Sequence, residues 1–275
     1  MAAVDVAPSP ELPSARALHT TLRLGARVGS IVVLLVAWEL LARSGLFTSF
    51  QLPRLSDVLA RIWHDALAGD LALNTAVTIG RAMLGFAIAA VAGVVLGLAI
   101  SRLAVARWFF DPIVSIGFPM PKIAFLPVII LWLGVYNTAK LTMIVFDAIF
   151  PVIAATVIAL QGVERELIWS ARNMGASERQ LLWQVMLPAA LPQIMTGLQV
   201  ALPLSLIVAV FTEMKMGGYG LGAAMETAAR FANSVGVFAG IVEISVVGYV
   251  LVKAMALIRR RLLIWHQEAA ESSGT

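Results

Sequence analysis

The chain of 275 residues contains no cysteine, and this absence removes several classes of site. Disulfides, thiolate metal sites and a cysteine nucleophile are all excluded. The three histidines, His19, His64 and His266, lie on separate segments, so the sequence predicts no metal cluster. Charged side chains make up only 13% of the chain, where an average soluble domain has about 25%. The chain therefore has little of the polar surface that a soluble enzyme needs.

The sequence also lacks the motifs that accompany catalysis and nucleotide binding. No nucleophile lies at useful spacing from a base, and no two carboxylates are paired as general acid–base chemistry requires. The glycine-rich run at residues 217–222 has no preceding strand pattern and no following Lys-Ser or Lys-Thr, so we interpret it as a tight turn rather than a phosphate cradle. We expect no catalytic residue, no cofactor and no enzymatic activity.

Hydrophobic residues make up 60% of the chain, and most of them lie in long runs. About 20 apolar residues are enough to cross the hydrocarbon core of a bilayer as a helix. Six stretches reach or approach that length: 28–42, 82–100, 113–136, 141–160, 189–211 and 235–252. The sequence therefore predicts an all-α polytopic membrane protein with six transmembrane helices surrounded by the lipid bilayer.

The distribution of Lys and Arg between these stretches predicts the orientation. With the N-terminus inside, the cytoplasmic segments hold the larger share, so both termini and residues 161–187 are assigned to the cytoplasm. Residues 1–22 are expected to form a disordered cytoplasmic tail, residues 23–265 the transmembrane domain, and residues 266–275 a second cytoplasmic tail. The net charge of +4 comes from these polar segments, so it gives no reason to infer nucleic-acid binding.

Two of the stretches contain residues that affect helix packing. Gly85, Ala89, Gly93 and Gly97 recur at every fourth position, so they share one helix face and permit another backbone to approach closely. We favour packing within the chain over a subunit interface at this face. The third stretch has four prolines between residues 112 and 127, which remove backbone donors, so this helix is expected to be kinked or broken.

The polar segment 161–187 has a pattern of its own. Residues 164–174 predict a short helix, and Gly175 can adopt the positive φ that ends it. Ser177 and Gln180 predict a capping box at the start of a second short helix. Two short helices joined at a glycine elbow would form a knob in the cytoplasm. Ala171 and Leu182 are expected to face a groove on a partner protein.

The spacing Ala-x3-Gly-x9-Val-x-Leu-Pro in this segment resembles the EAA loop of binding-protein-dependent ABC importer permeases. In that family the loop is gripped by a cytoplasmic ATP-binding subunit. Trp169 stands where the family's glutamate would be, and Ser170 replaces its first alanine. The resemblance implies an ATPase-coupling loop at residues 161–188, formed by the following residues: Ala171, Gly175, Ser177, Leu182, Val185, Leu187 and Pro188.

Segments between residues 52 and 265 also resemble the nitrate, sulfonate, taurine and bicarbonate group of that family; they include 52–59, 118–127, 150–151 and 218–222. The resemblance implies a type I importer permease core in the bacterial inner membrane. It implies three protein partners: a cytoplasmic ATPase that binds the ATP, an extracytoplasmic solute-binding protein, and a second permease copy, since each chain has one loop. It also implies a small anionic solute.

Three ionisable residues, Lys122, Asp147 and Glu213, are candidates for the translocation path or for ion pairs within the membrane, because burying a charge there is costly. We favour a structural Lys122–Asp147 ion pair over contact with the solute. The alternative is that Lys122 is a stepping stone for an oxyanion. The family commonly has apolar residues at both positions. Glu213 is expected to be a helix-terminal or interhelical hydrogen-bonding group.

Two other functions remain open on the sequence. The chain could be a membrane scaffold or assembly protein whose loop only binds a partner. It could also be an ion-coupled secondary transporter, although such proteins usually show inverted repeats and carboxylates at the membrane midplane, and no internal repeat is apparent.

Overall fold

A computed structural model describes residues 29–263, which form helices and turns without a strand. The expected tails 1–22 and 266–275 lie outside the described residues. Helix α1 is described from residue 29 to residue 43. The helices that follow are α2 Leu55–Ala68, α3 Asp70–Arg102, α4 Ala104–Gly117, α5 Leu126–Leu133, α6 Asn137–Gln161, α7 Arg165–Asn173, α8 Glu178–Gln180, α9 Leu187–Met216, α10 Leu221–Arg230 and α11 Ser234–Leu262. A 3-10 turn covers Lys122–Phe125, and a π-helical stretch covers Leu181–Met186.

The apolar helices agree with the six membrane spans expected from the sequence. Within residues 29–263, four helical stretches are long and apolar enough to cross a bilayer: Asp70–Arg102, Asn137–Gln161, Glu178–Met216 and Ser234–Leu262. The segments Ala104–Gly117 and Lys122–Leu133 together form a fifth. Helix α1 is the remaining span, of which 15 residues are described.

The third stretch is broken, as its prolines predicted, but its limits differ from the expected 113–136. It consists of two segments that meet at 97°. Pro119 and Pro121 lack the N–H groups that a continuing helix would need, so α4 ends at Gly117 and the chain passes through the 3-10 turn Lys122–Phe125 before α5 begins at Leu126. Gly117 is buried against the ring of Phe150, which holds the end of α4 on α6.

The core of the bundle consists of α3, α6 and α9, which pack against one another. All four residues of the small-residue stripe in α3 are buried. The missing side chains of Gly85, Gly93 and Gly97 leave the space that Ile144, Val152 and Thr156 of α6 occupy. The preference for packing within the chain is therefore confirmed, and this face of α3 is not available to a second subunit.

Two helix ends extend further than hydropathy indicated. Helix α11 continues ten residues beyond the predicted end at 252, through Lys253 and the run of arginines at 259–261. Long basic side chains can cover a helix end while their charged groups reach water, so charge is a poor marker of where such a helix stops. The expected stretch 141–160 also begins too late, since α6 starts at Asn137 and Lys140 lies in its first turn with a buried side chain.

Candidate functional site

The segment 161–188 begins with the predicted short helix, α7. Gly175 follows with φ +83°, the left-handed conformation that the elbow requires. The N–H groups of Gly175 and Ala176 donate to the carbonyls of Arg172 and Ala171, which closes the end of α7. Ser177 and Gln180 then form the predicted capping box: the Ser177 Oγ accepts from the Gln180 N–H, and the Ser177 N–H donates to the Gln180 Oε1.

The second short helix, predicted to start after Ser177, is not separate from the membrane span that follows it, so that prediction is wrong. Glu178–Met216 is one continuous helix, so α8 opens directly into the membrane span of α9. Pro188 has no N–H to donate four residues back, and the turns before it widen into the π-helical stretch, where the Leu187 N–H donates to the Leu182 carbonyl. The end of the loop is therefore continuous with a membrane helix.

Ala171 does not face outward, which is a second correction. It is 4% exposed and belongs to a cluster with Leu160, Leu181 and Met186. A small side chain at this position lets α7 lie close against the π-helical stretch. Leu182, Val185 and Leu187 are partly buried against the same cluster, so they hold the loop together. Gly175, Ser177 and Pro188 are exposed.

The outward surface of the loop carries large apolar side chains. Met174 is 80% exposed, Trp169 57% and Leu167 44%. Trp183 is 56% exposed as well, so four large apolar side chains of this polar segment face out, and exposed apolar surface of this extent marks sites of protein contact. The sequence identified the segment 161–187 but did not predict which of its apolar side chains face out. Both the buried and the exposed side of α7 are partly apolar, so their pattern does not separate the two sides.

An ion-pair network fastens the loop to the inner end of α3. Glu178 accepts from Arg102 at 2.8 Å and from Arg172 at 3.0 Å. Arg102 also approaches the Met186 Sδ at 3.2 Å. Glu178 therefore joins α3, α7 and α8, an arrangement that the sequence did not indicate because Arg102 and Glu178 are 76 positions apart.

Lys122 and Asp147 are brought together at the bend between α4 and α5. The Lys122 Nζ lies 3.6 Å from the Asp147 Oδ1, donates to the Phe118 carbonyl at 3.2 Å and lies 5.0 Å from the centre of the Phe150 ring. The lysine side chain is 9% exposed and the aspartate 17%. The pair ties the non-helical backbone of the bend to α6, as an ion pair with a structural role would.

Glu213 lies at the centre of a second network near the outer end of the bundle. Its carboxylate is fully buried and accepts from Thr78 Oγ1 at 2.8 Å, Arg81 Nη1 at 2.7 Å and the Gly222 N–H at 3.2 Å. The expectation of an interhelical hydrogen-bonding group is confirmed. Arg81 also donates to the Tyr219 carbonyl, which joins the glycine-rich turn to α3.

The partners of Glu213 were missed in the sequence, although a signal was present. Asn74, Thr78 and Arg81 follow one another at helical spacing, so they share one face of α3. Asn74 accepts from the Gly220 N–H and Thr78 from the Leu221 N–H, so this face binds the backbone of the glycine-rich turn. Lys140 donates to the Gly217 carbonyl from α6.

Comparison with known proteins identifies the architecture. Residues 85–264 match the family described as "Binding-protein-dependent transport system inner membrane component". The taurine transport system permease protein TauC of Escherichia coli (strain K12) is 31% identical over 246 residues, which are 88% of this chain and 90% of that protein. A Bacillus subtilis (strain 168) protein named as an aliphatic sulfonates transport permease, SsuC, is 29% identical over 85% of this chain and 84% of its own length.

A solved structure of the methionine ABC transporter MetNI shows the same fold at 20% identity, with a TM-score of 0.63 over 72% of this chain and 98% of that chain. The family consists of transport components rather than enzymes, and its members work with an ATPase and a binding protein. These findings favour the importer over the scaffold and the secondary transporter that the sequence left open. The chain belongs to the binding-protein-dependent transport system inner membrane components, the permease subunits of ABC importers.

Proposed function

We propose that two copies of this chain form the translocation path of an importer for a small organic anion of the sulfonate class. We further propose that a cytoplasmic ATPase opens and closes the path through residues 161–188. The observation that carries the coupling proposal is the exposed apolar surface on a loop that continues directly into a membrane helix. A load applied to this surface reaches α9 through the Gly175 elbow and the buried cluster that packs α7 against the start of the continuous helix.

The interface with the ATPase is proposed to be centred on Trp169, Met174 and Leu167. Large apolar side chains at the centre of an interface contribute most of its binding free energy. Trp169 stands where the EAA loop would place a glutamate, so here apolar contact replaces a charged one. Ala171, Leu182, Val185 and Leu187 act from inside the loop by keeping its shape.

The sulfonate class is proposed because the most similar relatives reported above carry taurine and aliphatic sulfonates in their names. The buried Lys122 is consistent with it, since an ammonium held at a bend in the membrane can exchange its carboxylate partner for a solute anion. A binding protein would deliver the solute to the outer face. The dimer is proposed because one chain supplies one coupling loop, whereas an ABC engine has two ATP-binding subunits.

Proteoliposomes that contain the permease with its ATPase, supplied with the loaded binding protein, test these proposals together. We expect ATP-dependent uptake of radiolabelled taurine and two permease chains per complex by native mass spectrometry. Uptake of a solute without a sulfonate group, but not of taurine, would overturn the solute class alone. A single permease chain per complex would overturn the dimer alone.

The role of Lys122 needs a variant that keeps the fold. Removing one member of a buried pair is destabilising, so Lys122 and Asp147 are replaced together by Met and Leu, residues of the apolar kind that the family commonly has there. We expect this double variant to fold and to retain taurine uptake, as a structural pair predicts, and Lys215→Gln, on an exposed lysine at the outer end of α9, to do the same. Loss of uptake by the double variant alone would place Lys122 on the translocation path. Full uptake by the double variant would show that Lys122 does not contact the solute.

A further inference from the structure

The stretch Leu181–Met186 lies where the cytoplasmic loop becomes a membrane helix, and its backbone differs from that of both neighbours. At its end the Leu187 N–H donates to the Leu182 carbonyl, five positions back, whereas an α-helix bonds four positions back. A π turn therefore holds one residue more than an α turn between the same two ends. Because α8 and α9 on either side are α-helical, the extra residue is confined to this stretch.

The burial of the side chains in this stretch depends on the π geometry. In an α-helix Leu181 and Met186 would lie about 140° apart, with Leu182 and Val185 between them at the centre of the apolar side. The structure has the reverse order: Leu181 is 1% exposed and Met186 8%, whereas Leu182 and Val185 are only partly buried. A π turn bonds residues five apart, so it brings Leu181 and Met186 onto one face.

The same four apolar side chains also suit an α-helix. There they would form one apolar stripe about 140° wide, with Leu182 and Val185 facing the buried cluster in place of Leu181 and Met186. Conversion from π to α changes the register between α8 and α9 by one residue. That change corresponds to a turn of about 100° and a shift of about 1.5 Å along the helix axis. The sequence therefore allows two packings of this stretch.

Arg102, at the inner end of α3, contacts both sides of the stretch. Its Nη2 donates to the Glu178 carboxylate at 2.8 Å, and its Nη1 lies 3.2 Å from the Met186 Sδ. A change of register would turn Glu178 relative to Met186, so one side chain could not keep both contacts. Arg102 therefore stabilises the π form. Because the Glu178 side chain is 65% exposed, the ionic contact breaks at small cost.

Pro188 reduces the free-energy difference between the two forms. In an uninterrupted α-helix the residue at this position would donate its N–H to the Gln184 carbonyl, but proline has no N–H. The α form therefore lacks one of the backbone hydrogen bonds that would otherwise favour it over the π form.

We propose that residues 181–186 are a two-state joint that changes register during the ATPase cycle. One state is the π form held by Arg102, and the other is an α form in which the Arg102 contacts are broken. This inference rests on the proposed coupling through residues 161–188. It adds the element with two discrete packings that such coupling requires. The joint would turn α8 relative to α9, which is packed against α3 and α6 in the core of the bundle.

Site-specific labelling tests the joint directly, because the chain has no cysteine of its own. Leu181→Cys and Leu182→Cys are introduced singly, and the permease–ATPase complex is treated with a maleimide, without nucleotide and with a non-hydrolysable ATP analogue. We expect the nucleotide to raise the labelling rate at one position and to lower it at the other, since the two exchange places against the cluster. Changes of the same sign would show that the loop moves without a change of register, and would overturn the proposal.

The labelling also separates this proposal from the proposed function. Identical rates with and without nucleotide, in a complex that stays intact, would overturn the joint and leave the coupling loop standing. Failure of the permease to bind the ATPase would overturn both. The measurement requires neither transport nor a particular solute.

Removal of Gln184, which is exposed, should fix the joint in a single register. Leu181 and Met186 are then four positions apart, so an ordinary α-helix buries both and no extra residue remains. We expect this deletion variant to fold and to bind the ATPase, but to lose the stimulation of ATP hydrolysis by loaded binding protein. Gln184→Ala keeps the number of residues and is the matched control, with full stimulation expected. Full stimulation of the deletion variant would overturn the proposal. The labelling test needs no deletion, so it decides the proposal even where the deletion variant does not fold.

Discussion

The permease has two turns built on glycine, one at each end of the bundle, and their surroundings differ. Gly175, in the cytoplasmic loop, has no heavy atom within 4 Å of the position that a β-carbon would take. At Gly220 and Gly222, on the opposite side, a β-carbon would collide with the Glu213 carboxylate or the Val210 carbonyl. Gly175 is needed only for its left-handed backbone conformation, whereas Gly220 and Gly222 also leave space for the buried Glu213 carboxylate.

The ion pairs differ in the same way. At the inner loop, Glu178 is 65% exposed and its partners Arg102 and Arg172 are accessible to water. At the outer turn, Glu213 is fully buried and Arg81 is 13% exposed. Exposed pairs contribute little to stability, while breaking a buried pair leaves a charge without a partner. The outer turn is thus a fixed part of the fold, and the inner loop can change its contacts at small cost, as a coupling element must.

The largest effect is expected from Glu213→Ala. The variant leaves Arg81 buried without its carboxylate and removes the acceptor of Thr78 and Gly222. Loss of one partner of a buried pair costs about 3–5 kcal/mol, enough to lower the thermal unfolding midpoint of the purified chain by several degrees. Glu226→Ala, on the more exposed pair with Arg230, should barely change it. If both variants unfolded alike, the outer turn would not be the fixed element described here.

The next effect concerns binding rather than folding. Trp169→Ala removes one of the two exposed tryptophans of the loop, and a central aromatic residue contributes about 2 kcal/mol or more to an interface. We expect affinity for the ATPase subunit to fall about 30-fold, with an unchanged unfolding midpoint. Trp132→Ala, on a tryptophan of α5 that is 76% exposed, is the control. Equal affinities for the two variants would remove Trp169 from the interface.

The inner loop and the outer turn also differ in how far the sequence predicts them. The elbow at Gly175 and the capping box at Ser177 depend on residues within a few positions of one another, and local backbone preferences decide both. The partners of Glu213 come from α3, more than 130 positions earlier in the chain, and packing brings them together. A shared helix face of Asn74, Thr78 and Arg81 is visible in the sequence, but the group that this face meets is not.

The errors have a common physical origin. Ala171 was expected to face a partner because the motif contains it, yet a small side chain on a short helix is equally suited to close packing, and the structure uses it for that. The expected stretch 141–160 left Lys140 outside the helix, but α6 includes it and its ammonium reaches the Gly217 carbonyl. In both cases tertiary contacts decided the outcome, and composition gave no sign of them.

A smaller effect is expected at the elbow itself. The open space around Gly175 means that Gly175→Ala suffers only backbone strain, about 1–2 kcal/mol in the left-handed region. Gly175→Asp adds the same strain and places a charge next to Met174, on the apolar surface proposed to bind the ATPase. We expect both variants to insert and fold, Gly175→Ala to retain part of the uptake, and Gly175→Asp to lose it. Normal uptake by Gly175→Asp at wild-type protein levels would contradict the role of the elbow in coupling.

The smallest change in stability is expected from Glu178→Gln, and it tests whether the inner ion pairs serve coupling. Because Glu178, Arg102 and Arg172 are exposed to water, the loss of both pairs should cost less than about 1 kcal/mol of folding free energy. The same loss removes the ionic link between the loop and Arg102 at the inner end of α3. We therefore expect the ATPase to bind with unchanged affinity while the stimulation of ATP hydrolysis by loaded binding protein falls about two- to fivefold.

Glu166→Gln, an exposed carboxylate on α7 of the same loop, should leave the stimulation as it is. If Glu178→Gln weakened the ATPase complex, the Glu178 carboxylate would belong to the surface that binds the ATPase. Movement would then be transmitted to the membrane through α9 alone.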